Sequence, residues 1–198
     1  MLFPLRTNTN KKIVSQYVVA SLLNDNQIEK ILNKLDEKNW VESLVYNDKT
    51  KEVSKKQLRS NKEQPLWPED DGFPFDIIAE RIFKINSEYW NFDIRYIDFS
   101  KDPPLVLKYG LNQKFDWHFD VMPKEPTRKL GFSLQLSEDI DYEGGDLEIY
   151  GVDEKSTKQF RTRGALIVFP SYVWHRITPV TKGQRLAMVG WVHGDTFQ

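Results

Sequence analysis

The chain predicts an α+β fold, helices packed on one side of an antiparallel β-barrel of jelly-roll type, and two observations carry that prediction. Before Trp90, apolar residues recur at helical spacing. After it, eight or so short apolar runs are separated by Gly, Pro, Asp and Lys turns. Within one run, Leu130, Phe132, Leu134 and Leu136 alternate with Gly131, Ser133 and Gln135, as a strand with two unlike faces must.

The N-terminal elements come first. Ile28, Ile31, Leu32 and Leu35 fall on one helix face, and Asn24 with Gln27 three residues later fits a capping box. A second helix is predicted from Asp71-Gly72-Phe73-Pro74, with Pro74 in its first turn and Ile78, Ile82, Ile85 and Tyr89 on one side. Between them, residues 46–71 are charged and lack apolar periodicity, which fits a solvated loop or a mobile lid. The strands are then NFDIRYIDFS, PLVLKYGL, FDWHFD, RKLGFSLQLS, GDLEIYG, KQFRT, ALIVFP, WHRITPV and QRLAMVGWV, with Glu143-Gly144-Gly145-Asp146 as a tight turn. This gives one structural domain, with a helical support region at 1–90 and a strand-rich core at 91–198.

Composition narrows the function. With 28 basic and 29 acidic side chains the net charge is −1, so no overall field attracts nucleic acid or an anionic membrane. There is no cysteine, which excludes disulfides, thiolate metal sites and cysteine nucleophiles. The longest apolar stretches, at 165–169 and 17–20, are far below the ~20 residues of a membrane span. MLFPLRTNTN also lacks the apolar run of a secretory signal, so a soluble, cytoplasmic protein is expected.

Three histidines occur, His118, His175 and His193. In His118-Phe119-Asp120 the first and third side chains share one strand face, which places an imidazole beside a carboxylate. These are two thirds of the two-His-one-carboxylate set that holds non-haem Fe(II) and leaves positions open. By itself the tripeptide also fits an ordinary surface histidine beside a charged residue. Further on, His175 opens a strand and Arg185 follows ten residues later, with Lys182-Gly183 read as a hairpin turn between them. An arginine inside a barrel demands an anion, and its planar fork suits a carboxylate; taken alone, Arg185 also fits an ordinary exposed strand arginine. His193 shares the parity of Arg185 and is the rival third ligand.

Taken together, WHFD, RKLGFSLQLS, YEGGDLEI and GALIVFPSYVWHRITPVTKGQR resemble the Fe(II)- and 2-oxoglutarate-dependent oxygenases of the prolyl 4-hydroxylase type, and PKHD-type hydroxylases in particular. The resemblance runs from about residue 106 to residue 197 and implies a double-stranded β-helix core. It implies Fe(II) held by His118, Asp120 and His175, favouring His175 over His193. Arg185 would take the distal carboxylate of 2-oxoglutarate, with Tyr109 and Gln135 at cosubstrate-contacting positions, although relatives place a tyrosine where Gln135 stands. Trp191 would wall the pocket beside the small Ala187. KKQLRSNKEQPLW loosely resembles the segment that closes over peptide substrates, with Arg59 as its candidate contact. The implied reaction consumes O2 and 2-oxoglutarate, releases succinate and CO2, hydroxylates a prolyl C–H bond of a peptide or protein, and uses ascorbate as reductant. The alternatives are an oxygenase acting on a free amino acid or other small molecule, a cupin-like metalloenzyme without 2-oxoglutarate, and a jelly-roll module that binds carbohydrate or protein without catalysis.

Overall fold

The computed structural model describes residues 14–43, 58–121 and 125–197. The capping box is present: the Asn24 side chain accepts from the Gln27 amide and the Gln27 side chain accepts from the Asn24 amide, both at 3.0 Å, opening α1 (Asp25–Leu32). Ile28 and Ile31 are its buried residues; Leu35 lies beyond its end but still packs on the core. The second helix, α2 (Phe75–Tyr89), buries Phe75, Ile78, Ile82 and Ile85. Pro74 stands at its N-cap and not inside the first turn.

Among the described residues, twelve strands follow in chain order: β1 (Tyr17–Val19), β2 (Val41–Glu42), β3 (Lys62–Pro65), β4 (Leu105–Tyr109), β5 (Phe115–His118) and β6 (Arg128–Gln135), then β7 (Tyr142–Gly144), β8 (Leu147–Ile149), β9 (Leu166–Pro170), β10 (His175–Ile177), β11 (Val180–Gly183) and β12 (Arg185–His193). A one-turn helix, α3 (Glu154–Thr157), lies between β8 and β9. The large sheet runs β1-β9-β6-β12-β4-β3-β2, a small one runs β5-β10-β8, and β11 pairs with β7. All of these pairings are antiparallel, the jelly-roll arrangement expected from the strand-rich half.

Four expectations are corrected. The N-terminal region is not purely helical, because β1, β2 and β3 join the large sheet. These strands are two to four residues long, too short to show a period, and their partners β9 and β4 lie far along the chain. The polar stretch is likewise not all loop: β3 pairs with β4, and Asn61 just before it is fully buried. The part of the expected lid at 46–57 lies outside the described residues. KQFRT is a 3-10 turn (Lys158–Arg161), and NFDIRYIDFS contributes one isolated bridge, Tyr96 to His193. Last, Lys182-Gly183 does not join β10 to β12 as a hairpin. The chain passes from the small sheet to the large one there, through β11 on β7. Gly183 (φ 69°) permits that crossing, since a Cβ would lie 1.9 Å from the Asp141 carbonyl.

The core has two parts. One is shared by α1, α2 and the even-numbered residues of β6: Leu130, Phe132 and Leu134, with Leu136 just past the strand, pack there with Met188 and Val192 of β12. The other lies between the sheets and holds Tyr109, Leu147, Ile149, Ile167, Phe169 and Ile177. The odd-numbered residues of β6 and β12 face this second region, and there the polar groups gather.

Candidate functional site

β10 sits between β5 and β8, and its register sets His175 directly across from His118. Asp120 follows the end of β5, its amide bonded to the Ser171 carbonyl at 2.8 Å. As a result one ligand atom from each of His118, Asp120 and His175 lies within 4.8 Å of the others. His118 Nε2 is 3.9 Å from Asp120 Oδ1, and His175 Nε2 is 3.7 Å from Asp120 Oδ2. Asp120 and His175 are buried and His118 is nearly so.

The two rings are held the same way. His118 Nδ1 lies 2.7 Å from the Asp116 carbonyl, and His175 Nδ1 lies 3.0 Å from that of Val173. A carbonyl only accepts, so each Nδ1 carries a proton, and Nε2 is the nitrogen that each ring turns toward Asp120. Phe115 stacks on His118 at 3.5 Å and Phe169 packs on His175 at 4.6 Å, which leaves the rings little freedom. Burial, and after it the neighbouring His175, push the His118 pKa down to about 3, so this imidazole is neutral at ordinary pH. Two imidazole nitrogens and one carboxylate are the donor set that suits Fe(II).

Gly131 makes room for the cluster. A Cβ there would stand 2.9 Å from both Asp120 Oδ2 and Phe169 Cε2. The alternation in the sequence places Gly131 on the strand face opposite Leu130 and Phe132. The need for a glycine at that point shows only once Asp120 is folded against it.

Deeper in the same pocket, Arg185 lies opposite Tyr109 across the β12–β4 pairing. Arg185 is 3% exposed, and among the described residues no carboxylate pairs with it. Its Nε donates to Gln135 Oε1 at 3.2 Å, and Gln135 Nε2 in turn donates to the Ser137 carbonyl and the Tyr142 hydroxyl, each at 3.1 Å. Gln135 thus orients the guanidinium from behind and is not among the pocket-lining residues. Among the described residues the buried Tyr109 hydroxyl has no hydrogen-bond partner, and burial raises its pKa. An uncompensated buried cation beside an orphaned hydroxyl is costly unless an anion meets both. A carboxylate of 2-oxoglutarate fits that demand.

Of the other candidates, Trp191 lines the pocket wall and Arg59 its mouth. Arg59 donates to Asn61 at 2.8 Å and Glu63 at 2.9 Å, and its guanidinium lies over Phe115. His193 is not with the metal cluster. The β12–β6 pairing is irregular between Val192 and His193, and His193 Nε2 lies 3.3 Å from Asp102 instead. Asp102 and its partner Arg128 stand at the mouth, and sequence reasoning missed both. They come from separate loop and strand positions, with no spacing rule to join them.

With the geometry in place, comparison with known proteins agrees. Residues 104–193 match the 2OG-Fe(II) oxygenase superfamily. A PKHD-type hydroxylase of Hyphomonas neptunium is 38% identical over 95 residues, which is 46% of this chain and 42% of that protein. Another from a Psychrobacter species is 41% identical over 100 residues, 46% of this chain and 37% of that protein. The chain thus spans about two fifths of the length of the curated relatives it matches. In fold it resembles a Pseudomonas putida prolyl-4-hydroxylase (TM-score 0.66, 17% identity, 91% of this chain and 93% of that one). It also resembles a Trichoplax adhaerens prolyl hydroxylase solved with a hypoxia inducible factor peptide fragment (TM-score 0.70, 17% identity, 94% of this chain and 85% of that one). The oxygenase superfamily implies Fe(II) and 2-oxoglutarate, and the matched segment contains every metal and cosubstrate candidate named above. Among the described residues no helix is long and apolar enough to cross a membrane.

Proposed function

We propose that the protein is an Fe(II)- and 2-oxoglutarate-dependent dioxygenase that hydroxylates a prolyl residue in a peptide or protein. The observation that carries the reading is one pocket holding both the His118–Asp120–His175 cluster and the unpaired Arg185 guanidinium beside the orphaned Tyr109 hydroxyl. His118, Asp120 and His175 would hold the metal through two Nε2 lone pairs and one carboxylate oxygen. Arg185 and Tyr109 would bind the distal carboxylate of 2-oxoglutarate, with Gln135 keeping the guanidinium aimed. Bound Fe(II) with 2-oxoglutarate supplies O2-dependent C–H hydroxylation, with succinate and CO2 as co-products and ascorbate as reductant. Leu107, Leu147, Phe169 and Ile177 line the pocket and keep water away from the reacting centre.

A peptide substrate is supported by the fold shared with prolyl hydroxylases, one of them seen with a peptide. It is supported also by the groove at the mouth, where Leu58, Trp117, Phe119 and Trp191 give apolar footing beside Arg59.

The test is anaerobic loading with Fe(II) and 2-oxoglutarate, admission of air, and a succinate assay with and without proline-containing peptides. Succinate that depends on iron and rises with peptide, with a mass gain of one oxygen on proline, is the expected result. Succinate formed at the same rate with every peptide and with none would remove the peptidyl-proline substrate. Absence of binding of both Fe(II) and 2-oxoglutarate would return the fold to a non-catalytic binding module.

A further inference from the structure

Asp120 lies beyond its strand, in the turn that follows β5, so something other than the sheet ladder must hold it in place. On one side Ser171 accepts from the Asp120 amide at 2.8 Å. On the other, Arg128 Nη1 donates to the Asp120 carbonyl at 3.3 Å. Arg128 uses the rest of its guanidinium as well: Nε and Nη2 form a fork on Asp102 at 2.7 and 2.6 Å, and the flat face lies 3.6 Å from the Trp191 ring. Both members of the pair are largely buried, with side chains 11% and 13% exposed. Asp102 Oδ2 is within 3.3 Å of His193 Nε2, and His193 is itself fixed by Thr127 Oγ1 at 3.0 Å and by parallel stacking on Tyr96.

We propose that the Arg128–Asp102 pair, braced by His193, is a positioning strut that sets the Asp120 carboxylate and the Trp191 wall at once. One planar group touches the turn bearing the metal-ligand candidate, the loop before β4 and the pocket wall on β12. None of the three shifts without the others. A buried ion pair is a poor source of net stability, so its geometric effect is the more informative one. Lysine cannot replace Arg128, since a single ammonium has neither the fork for Asp102 nor the plane for Trp191. The strut also accounts for the third histidine, which lies outside the metal cluster and against Asp102. This inference rests on the reading of His118, Asp120 and His175 as a metal site.

The test is Co(II) titration of the full chain, followed by its visible absorption bands, beside thermal melting. Arg128→Lys and Asp102→Asn should each raise the Kd for Co(II) by about 10- to 100-fold and shift the absorption bands, as loss of a partner behind a metal ligand does. The double variant should be little worse than the weaker single one, because the two residues act as a unit. Ile82→Val, in α2, should lower Tm without moving Kd or spectrum. His118→Ala should abolish binding. If the parent does not bind Co(II), the metal reading fails and takes the strut with it. If the parent binds and Asp102→Asn and Arg128→Lys bind as tightly with unchanged spectra, the strut is overturned while the metal site stands. The strut is equally overturned if Ile82→Val, at a comparable drop in Tm, weakens binding as much.

Discussion

Along β6 and β12, successive side chains alternate between a face packed on the helices and a face turned to the pocket. On the first, Leu130, Leu134, Leu136, Met188 and Val192 share a core with Ile78 and Ile82 of α2. On the second stand Gly131, Ser133, Gln135, Arg185, Ala187 and Trp191, small or polar except for the last. The same strands therefore serve stability on one side and chemistry on the other. Apolar packing tolerates exchange among residues of similar volume. The pocket face depends on particular atoms: the absent Cβ of Gly131, the unpaired guanidinium of Arg185, the Oε1 of Gln135.

Mutations should separate the two faces. The largest effect is expected inside: Asp120→Ala or His175→Ala should weaken metal binding by more than about 100-fold and end succinate formation, since a three-ligand site does not survive on two. His193→Ala should retain measurable binding in the same titration. Loss of binding in His193→Ala together with its survival in His175→Ala would reverse the ligand assignment. On the helix side, Leu134→Ala should cost about 2–5 kcal/mol in denaturant unfolding and leave the Kd for Co(II) unchanged. If metal affinity falls with it, the two faces are not independent.

Arg185→Ala should keep Co(II) binding but weaken 2-oxoglutarate by at least about 30-fold, the penalty for removing one side of a buried charge pair. Calorimetric titration of 2-oxoglutarate into the Co(II)-loaded protein measures it. Gly131→Ala sharpens the comparison further, because it adds one methyl on the pocket face 2.9 Å from Asp120 Oδ2. Metal affinity should drop about tenfold, while the loss of stability stays below that of Leu134→Ala.

The smallest effect is a pH slope. Burial pushes the Asp102 pKa up, but His193 and Arg128 outweigh it and hold the carboxyl below its usual value. The unfolded chain then takes up a proton that the folded state refuses. The stability contributed by Asp102 is present above about pH 4 and fades as pH falls below it. Asp102→Asn should flatten that part of a plot of Tm against pH.

Much of this was legible beforehand, and the residues show why. The capping box at Asn24 and Gln27 depends on neighbours three residues apart. The two faces of β6 follow from the two-residue period of a strand; the same period suggested His118 beside Asp120, but β5 ends at His118 and the Asp120 amide is held by the Ser171 carbonyl instead. Other features were out of reach. β1, β2 and β3 carry no pattern of their own and become strands because distant edges accept them. β10 and β12 looked like the arms of a hairpin, but their hydrogen bonds go to β5 and β8 in one case and to β4 and β6 in the other.

The sequence by itself determined the fold class, the capping box of α1 and which side chains of a strand travel together, because those follow from backbone geometry within a few residues. The tertiary structure alone decided that Gln135 backs Arg185 instead of lining the pocket, that an irregular β12–β6 pairing turns His193 toward Asp102, and that Arg128 reaches both Asp120 and Trp191. Those contacts join residues from 8 to 91 positions apart, and only closure of the sheets brings such partners within hydrogen-bonding distance.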